Sequence, residues 1–191
     1  GVEFIQFIAP GVLMMTVVQN AFANTSSSLM ISKIQGNIVD TLMPPLSPTE
    51  LLFGYAVGGM TRGAIVAAAV GVPSFLALGV GVAHPLWAAA FALLGALMLA
   101  LIGIAAGVFC EKFDQMAAIT NFVITPLAFL SGTFYSVSDL PSAIWVASHA
   151  NPVFYLIDGF RYGVLGVSDS SPWLGLAVVG LATAALWAFA L

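Results

Sequence analysis

Residues 85–109, PLWAAAFALLGALMLALIGIAAGVF, decide the fold of this chain. The stretch holds no Asp, Glu, Lys or Arg, and it exceeds the roughly 20 residues that a helix needs to cross a bilayer. Its many Ala and Gly residues allow neighbouring helices to approach closely. The stretch therefore predicts a transmembrane helix.

The rest of the 191-residue chain is similarly apolar, with 61% hydrophobic and only 6% charged residues. A soluble domain carries about a quarter charged residues, so the composition predicts an all-α integral membrane protein. The four Lys and Arg residues are scattered, which argues against a nucleic-acid partner. One cysteine, Cys110, cannot form a disulfide or a cysteine-based metal site within this sequence.

Five apolar stretches are long enough to cross a bilayer, which predicts a polytopic helical bundle. We expect the spans at about 4–29, 51–82, 85–109, 115–131 and 173–191. We treat residues 1–191 as a single domain. Because the sequence begins at Gly1 and ends at Leu191 within an apolar run, we expect a fragment truncated at both ends.

A polar interval at 30–50 separates the first two spans. Its apolar residues recur at steps of three and four, which predicts a short amphipathic helix at about 30–46, ended by Pro44 and Pro45. These apolar residues are Ile31, Ile34, Ile38 and Leu42. Ser47, Pro48 and Glu50 then form the signature of a new helix, with Ser47 as the N-cap and Pro48 at the first helical position.

The segment 129–163 concentrates polar and aromatic residues in this apolar chain. Asn151 and Pro152 predict a helix start, so we expect two short helices at about 139–149 and 152–165. Together they predict a re-entrant helical hairpin at about 132–165, entering the membrane from the outer face; an ordinary extracellular loop is the alternative. Asp158 and Arg161, three residues apart, can pair on the second helix.

Basic residues set the orientation, because cytoplasmic loops are richer in Lys and Arg. Lys33 and Lys112 then lie on the cytoplasmic side and Arg161 on the outer side. Arg62 either marks the cytoplasmic interface, with the span starting near Gly63, or faces a polar pathway opposite Gln19 or Asn20.

Three polar residues of the first span, Gln19, Asn20 and Asn24, lie approximately on one helical face. They either line a route through the membrane or form hydrogen bonds between helices near the end of the span. The sequence contains no GxxxxGK[ST], HExxH or GxSxG motif, so we expect no catalytic site and no bound metal or cofactor.

The runs FLSGTFYSVSDLP (129–141) and NPVFYLIDGFRYG (151–163) closely resemble the signature region of ABC-2 permeases, the membrane subunits of type-2 ABC exporters. This family includes polysaccharide, Nod-factor and drug exporters. GNIVDTLMPPLSPTELLFGYAVGG (36–59) resembles its cytoplasmic coupling helix and third helix, and FIAPGVLMMTVVQNAF (7–22) resembles its second helix.

The resemblance implies helices two to six of a six-helix permease in a bacterial inner membrane. It implies a second permease subunit, membrane lipid, and an ATP-binding cassette ATPase that binds ATP and Mg. The exported molecule would be a lipid-linked glycan, a lipid or a hydrophobic drug. The residues implied in ATPase coupling are Lys33, Gly36, Asp40, Pro44 and Pro45. Those implied at the outer gate are Gly132, Asp139, Pro141, Asn151, Pro152, Asp158 and Arg161.

One position departs from the family pattern. Many members carry an acidic–basic pair before the coupling-helix glycine, whereas here Ser32 and Lys33 precede Gly36, so the acid is lost. A charge contact with the ATPase at this point is in doubt, and Asp40 is a candidate replacement. An ion-coupled secondary transporter or channel is the alternative function, but no Asp or Glu lies well inside the predicted spans, as proton relays require.

Overall fold

The computed structural model describes residues 4–133 and 142–191, and all regular structure in these ranges is helical. The helices are α1 (Phe4–Gln35), α2 (Ile38–Leu42), α3 (Pro48–Leu78), α4 (Pro85–Phe109), α5 (Phe113–Ile119), a π-helical turn (Thr120–Ile124), α6 (Thr125–Phe129), α7 (Ser142–His149), α8 (Pro152–Leu165) and α9 (Pro172–Ala190).

Four of the described helices, α1, α3, α4 and α9, are long and apolar enough to cross a membrane. The predicted class, a polytopic helical membrane protein, is confirmed. The second predicted span, however, stops at Leu78 rather than at residue 82, because Gly79 adopts a left-handed backbone with φ of 63°. A left-handed residue at this position is a common way for a helix to end.

The predicted fourth span, 115–131, is formed by α5, the π-helical turn and α6, which follow one another with a helical backbone throughout. Only its α-helical hydrogen-bond pattern is interrupted, and in this sense we call it the broken helix. At the break, Thr125 donates both its amide and its hydroxyl hydrogen to the carbonyl of Thr120, five residues back. Pro126 follows and has no amide hydrogen to contribute to a regular α-helix. That this broken helix crosses the whole membrane stays a prediction.

The single helix predicted at 30–46 is wrong in its bounds. α1 continues to Gln35, and only Ile38–Leu42 forms a separate short helix. Gly36 has a φ of 77°, which an α-helix does not accommodate, and therefore separates the two. Pro44 and Pro45 follow in an exposed non-helical stretch.

The predicted start of the next helix at Ser47 is confirmed. The Ser47 hydroxyl accepts a hydrogen bond from the amide of Glu50 at 3.3 Å, and the Glu50 carboxylate accepts from the amide of Ser47 at 2.7 Å. This reciprocal pair is a capping box.

Glycines bring α1 and α4 together in the core. A Cβ placed on Gly103 would clash with the hydroxyl of Thr25 and would lie 2.5 Å from the carbonyl oxygen of Phe22. The Thr25 hydroxyl of α1 also donates a hydrogen bond to the carbonyl of Ala100 of α4, at 2.9 Å. Close backbone approach through small residues thus holds α1 against α4.

Candidate functional site

We call the end of the bundle that the basic residues predict to face outward the outer end; it contains the two short helices predicted from 129–163. α8 begins at Pro152, as predicted, and α7 occupies Ser142–His149. Asp139 and Pro141, expected at the outer gate, lie outside the described residues. α8 is buried along nearly its whole length against α1, α4 and α9, which favours a hairpin packed into the bundle over an ordinary loop.

Asn151 fixes the junction between α7 and α8. Its side-chain oxygen accepts from the amide of Val153 at 3.0 Å, which caps α8. Its amide nitrogen donates to the carbonyl of Leu127 and to the hydroxyl of Ser131, both at 2.9 Å. The hairpin is therefore anchored to the end of α6.

Asp158 is 1% exposed and holds the loop that leads into α9. Its carboxylate accepts hydrogen bonds from the amide of Asp169 at 2.8 Å, from the amide of Ser170 at 2.9 Å and from the hydroxyl of Ser170 at 2.8 Å. Three donors compensate much of the cost of burying this side chain.

Arg161 is 2% exposed and joins α8 to two other parts of the chain. Its Nη2 donates to the carbonyl of Gly132 at 2.6 Å, and its guanidinium lies 4.0 Å above the ring centroid of Phe7, in cation–π geometry. Among the described residues no hydrogen bond joins Asp158 to Arg161. The pairing predicted from their spacing is therefore replaced by separate partners.

The opposite end of the bundle, which is predicted to be cytoplasmic and which we call the inner end, carries the residues expected to contact an ATPase. Gly36, Asp40, Pro44 and Pro45 are exposed. Lys33 is not free, because its Nζ donates to the carbonyls of Val108 and Cys110, the latter at 3.2 Å. A cation at these carbonyls stabilises the C-terminal end of α4.

Apolar side chains surround the exposed coupling residues. We call Ile34, Val39, Leu42 and Met43 the inner patch; they are 55%, 56%, 63% and 75% exposed. The four residues belong to the end of α1 and to the connection that leads into α3, within the polar interval predicted to be cytoplasmic. Exposed apolar side chains at such a position are typical of a protein-contact site.

Gln19 and Asn20 line a groove of about 630 Å³ between α1 and the broken helix. The opposite wall presents polar side chains that the sequence reasoning missed, namely Thr120, Asn121 and Thr125. The sequence contained a signal for them, because Thr120 and Asn121 are adjacent and Thr125 directly precedes Pro126 within an apolar stretch.

Asn24 does not line this groove. It follows Asn20 by four residues, a rotation of about 40°, and Gln19 by five, a rotation of about 140°, so the predicted shared face fits Asn20 and Asn24 better than Gln19 and Asn24. Asn24 instead accepts a hydrogen bond from Nη1 of Arg62 on α3 at 3.4 Å. Within the described ranges, Arg62 forms no hydrogen bond with Gln19 or Asn20, the two pathway residues proposed for it.

Together, the apolar helices and the buried hairpin define a polytopic helical membrane protein. The sequence identifies the family. Residues 2–165 match the family described as ABC-2 type transporter, and the chain belongs to that family. The resemblance seen in the sequence is confirmed. The alternative of an ion-coupled secondary transporter or channel finds no support in this match.

Named relatives agree with this assignment. The chain is 40% identical over 169 residues to "Inner membrane transport permease YadH" of Escherichia coli K12, and equally so to the protein of the same name from Shigella flexneri. The match covers 88% of this chain and 66% of each relative. The chain thus spans slightly less than two thirds of these relatives.

Proposed function

We propose that the chain is the membrane-spanning core of an ATP-driven exporter in a bacterial inner membrane. A separate ATP-binding cassette ATPase would bind ATP and Mg and supply the energy, and a second permease subunit would complete the pathway. Family membership and the relatives' name, inner membrane transport permease, support this proposal.

The observation that carries the proposal is the inner patch beside Gly36. Its apolar side chains are exposed in the segment predicted to be cytoplasmic, where an ATPase groove would cover them. Lys33 ties the end of α1 to the end of α4, so a force on α2 would reach both helices.

The groove between α1 and the broken helix is our candidate for the transport route. Polar side chains line both of its walls, and apolar residues such as Phe22 and Met116 complete it. This mixture suits an amphipathic cargo such as a lipid-linked glycan, a lipid or a hydrophobic drug. A π-helical turn often occurs at a functional position, which is consistent with movement of this wall.

The outer hairpin would close the route at the opposite end. Asn151 holds it to α6, Asp158 to the loop before α9, and Arg161 to the carbonyl of Gly132 and to Phe7 of α1. In this proposal Gly132, Asn151, Pro152, Asp158 and Arg161 position the gate and do not bind cargo, because Asn151 and Asp158 already have hydrogen-bond partners within the chain.

The decisive experiment is co-purification of the ATPase with the tagged full-length permease. Leu42→Asp places a charge in the inner patch, and we expect it to release most of the ATPase. Val167→Asp is the matched control, since Val167 is also an exposed apolar residue, 48% exposed, in the loop at the other end. Normal ATPase retention by Leu42→Asp would contradict the proposal.

A further inference from the structure

Arg62 lies at an unusual depth in α3. The helix has 31 residues, or about 46 Å at 1.5 Å per residue, whereas a hydrocarbon core is about 30 Å thick. Arg62 stands 16 residues before Leu78, which is about 24 Å from the outer end of the helix. With that end at the outer interface, Arg62 lies just inside the inner boundary of the hydrocarbon.

A charge at this depth needs a partner or access to the headgroups. The described residues give Arg62 one hydrogen bond, the 3.4 Å contact with Asn24. The Asn24 oxygen is neutral, so the positive charge is uncompensated within the described chain. Arg62 is also exposed, which leaves most of its guanidinium donors available to an external group.

A cleft of about 330 Å³ lies between α1 and α3, on the side of Arg62 that is predicted to be cytoplasmic. Arg62 does not line the cleft itself; it follows Gly58, a lining residue, by about one turn and donates to Asn24, which lines the cleft from α1. The other lining residues are Ser28 of α1, Leu46 before α3, and Glu50, Leu51, Gly54 and Tyr55 of α3. We call this space the inner cleft.

The two glycines keep the inner cleft open. A Cβ on Gly54 would meet nothing within 4 Å, and one on Gly58 would meet only the amide nitrogen of Asn24 at 3.7 Å. The volume suits a small polar headgroup. Glu50 lines the far end of the cleft, where its carboxylate binds Ser47, and the helical rise between Glu50 and Arg62 is about 18 Å.

We propose that the inner cleft binds the phosphate of an inner-leaflet phospholipid, with Arg62 as its charged ligand. A guanidinium matches a phosphate through two parallel hydrogen bonds. The amide nitrogen of Asn24, at the same place, is a further donor. The occupant is a lipid because the exposed face of α3 opens the cleft sideways to the bilayer. This proposal does not depend on the transport function.

The test measures lipid binding to the full-length protein in detergent by native mass spectrometry. We expect dioleoylphosphatidylglycerol to bind and dioleoylglycerol, which lacks the phosphate, to bind at least tenfold more weakly. Arg62→Gln should weaken phosphatidylglycerol binding about tenfold, as loss of a charged hydrogen bond implies. Arg62→Lys should retain part of the affinity, because the charge remains and the planar fork is lost.

Two further variants keep the test falsifiable. Gly58→Leu fills the inner cleft and leaves Arg62 in place, so it should also weaken phosphatidylglycerol binding, even if Arg62→Gln does not fold. Lys112→Gln removes one cation from the α4–α5 connection and should change nothing. Wild-type affinity in both Arg62→Gln and Gly58→Leu would overturn the proposal. So would full displacement of the lipid by soluble glycerol 3-phosphate, which would indicate a site for free phosphate compounds.

Discussion

Asp158 and Arg161 lie about one turn apart on α8, both buried, and each is held by a different part of the chain. Asp158 accepts from the loop at Asp169 and Ser170, whereas Arg161 donates to the carbonyl of Gly132 and lies over Phe7. Two charges that could neutralise each other on the same helix instead connect α8 to three separate segments. This arrangement explains how a short helix is fixed within the bundle.

The first prediction concerns the Asp158 carboxylate. Asp158→Asn keeps the shape but loses the charge and part of the acceptor capacity, so we expect the unfolding free energy to fall by about 1–3 kcal/mol. Hydrogen exchange at the amides of Asp169 and Ser170 should accelerate. Asp114→Asn, at an exposed carboxylate in the first turn of α5, serves as control. Unchanged exchange at both amides would show that the loop does not depend on Asp158.

The second prediction concerns the contact between Arg161 and Phe7. In a double-mutant cycle of Arg161→Met and Phe7→Leu, we expect a coupling energy of about 0.5–2 kcal/mol, because the ring attracts the cation most strongly when both are desolvated. The unfolding free energies of the wild type, the two single variants and the double variant are measured by denaturant unfolding in detergent. A coupling energy near zero would mean that the two side chains are neighbours without a significant interaction.

The third prediction concerns the contact between α1 and α4. Gly103→Ala should lower the unfolding free energy by about 1–3 kcal/mol, because the new methyl group meets Thr25 and the backbone of Phe22. Gly180→Ala on α9 is the matched control, since its Cβ meets nothing within 4 Å. That variant should be neutral or slightly stabilising, because Ala favours a helix over Gly. Equal stability of the two variants would contradict the packing argument.

The fourth prediction separates backbone conformation from packing at the inner end. A Cβ added to Gly36 or to Gly54 would meet nothing within 4 Å, but only Gly36 has a positive φ. Gly36→Ala should strain the turn by about 1–2 kcal/mol and weaken ATPase stimulation by the full-length permease, whereas Gly54→Ala should not. ATP hydrolysis by the co-purified complex is the measurement. Identical stimulation in both variants would show that the turn geometry is not needed for coupling.

The fifth prediction concerns Lys33. Lys33→Met removes the donor to the carbonyls of Val108 and Cys110, so the end of α4 should fray and its last amides should exchange faster. Lys112→Met, which removes the nearby cation of the α4–α5 connection, is the control. If the Lys33→Met variant retains the ATPase while the last amides of α4 exchange faster, Lys33 acts in the connection between α1 and α4. Loss of the ATPase without any change in exchange would assign it to direct contact with the partner.

Local patterns in the sequence determined the class of this protein and the starts of its helices. The apolar stretch 85–109 predicted α4 because length and hydropathy suffice for a membrane helix. Ser47 and Asn151 predicted the starts of α3 and α8 because a capping residue needs only its near neighbours. The signature runs at 129–141 and 151–163 were enough to indicate the ABC-2 family.

Only the tertiary structure decided which polar side chains meet. Asn24 faces Arg62 while Gln19 faces the groove, although both belong to α1, because the neighbouring helices occupy different sides of it. The partners of Lys33, Asp158 and Arg161 lie at positions 108 and 110, 169 and 170, and 132. In an apolar bundle a polar group takes whatever donor or acceptor the packing brings within reach. Sequence spacing carries no information about that choice once the partner belongs to another element.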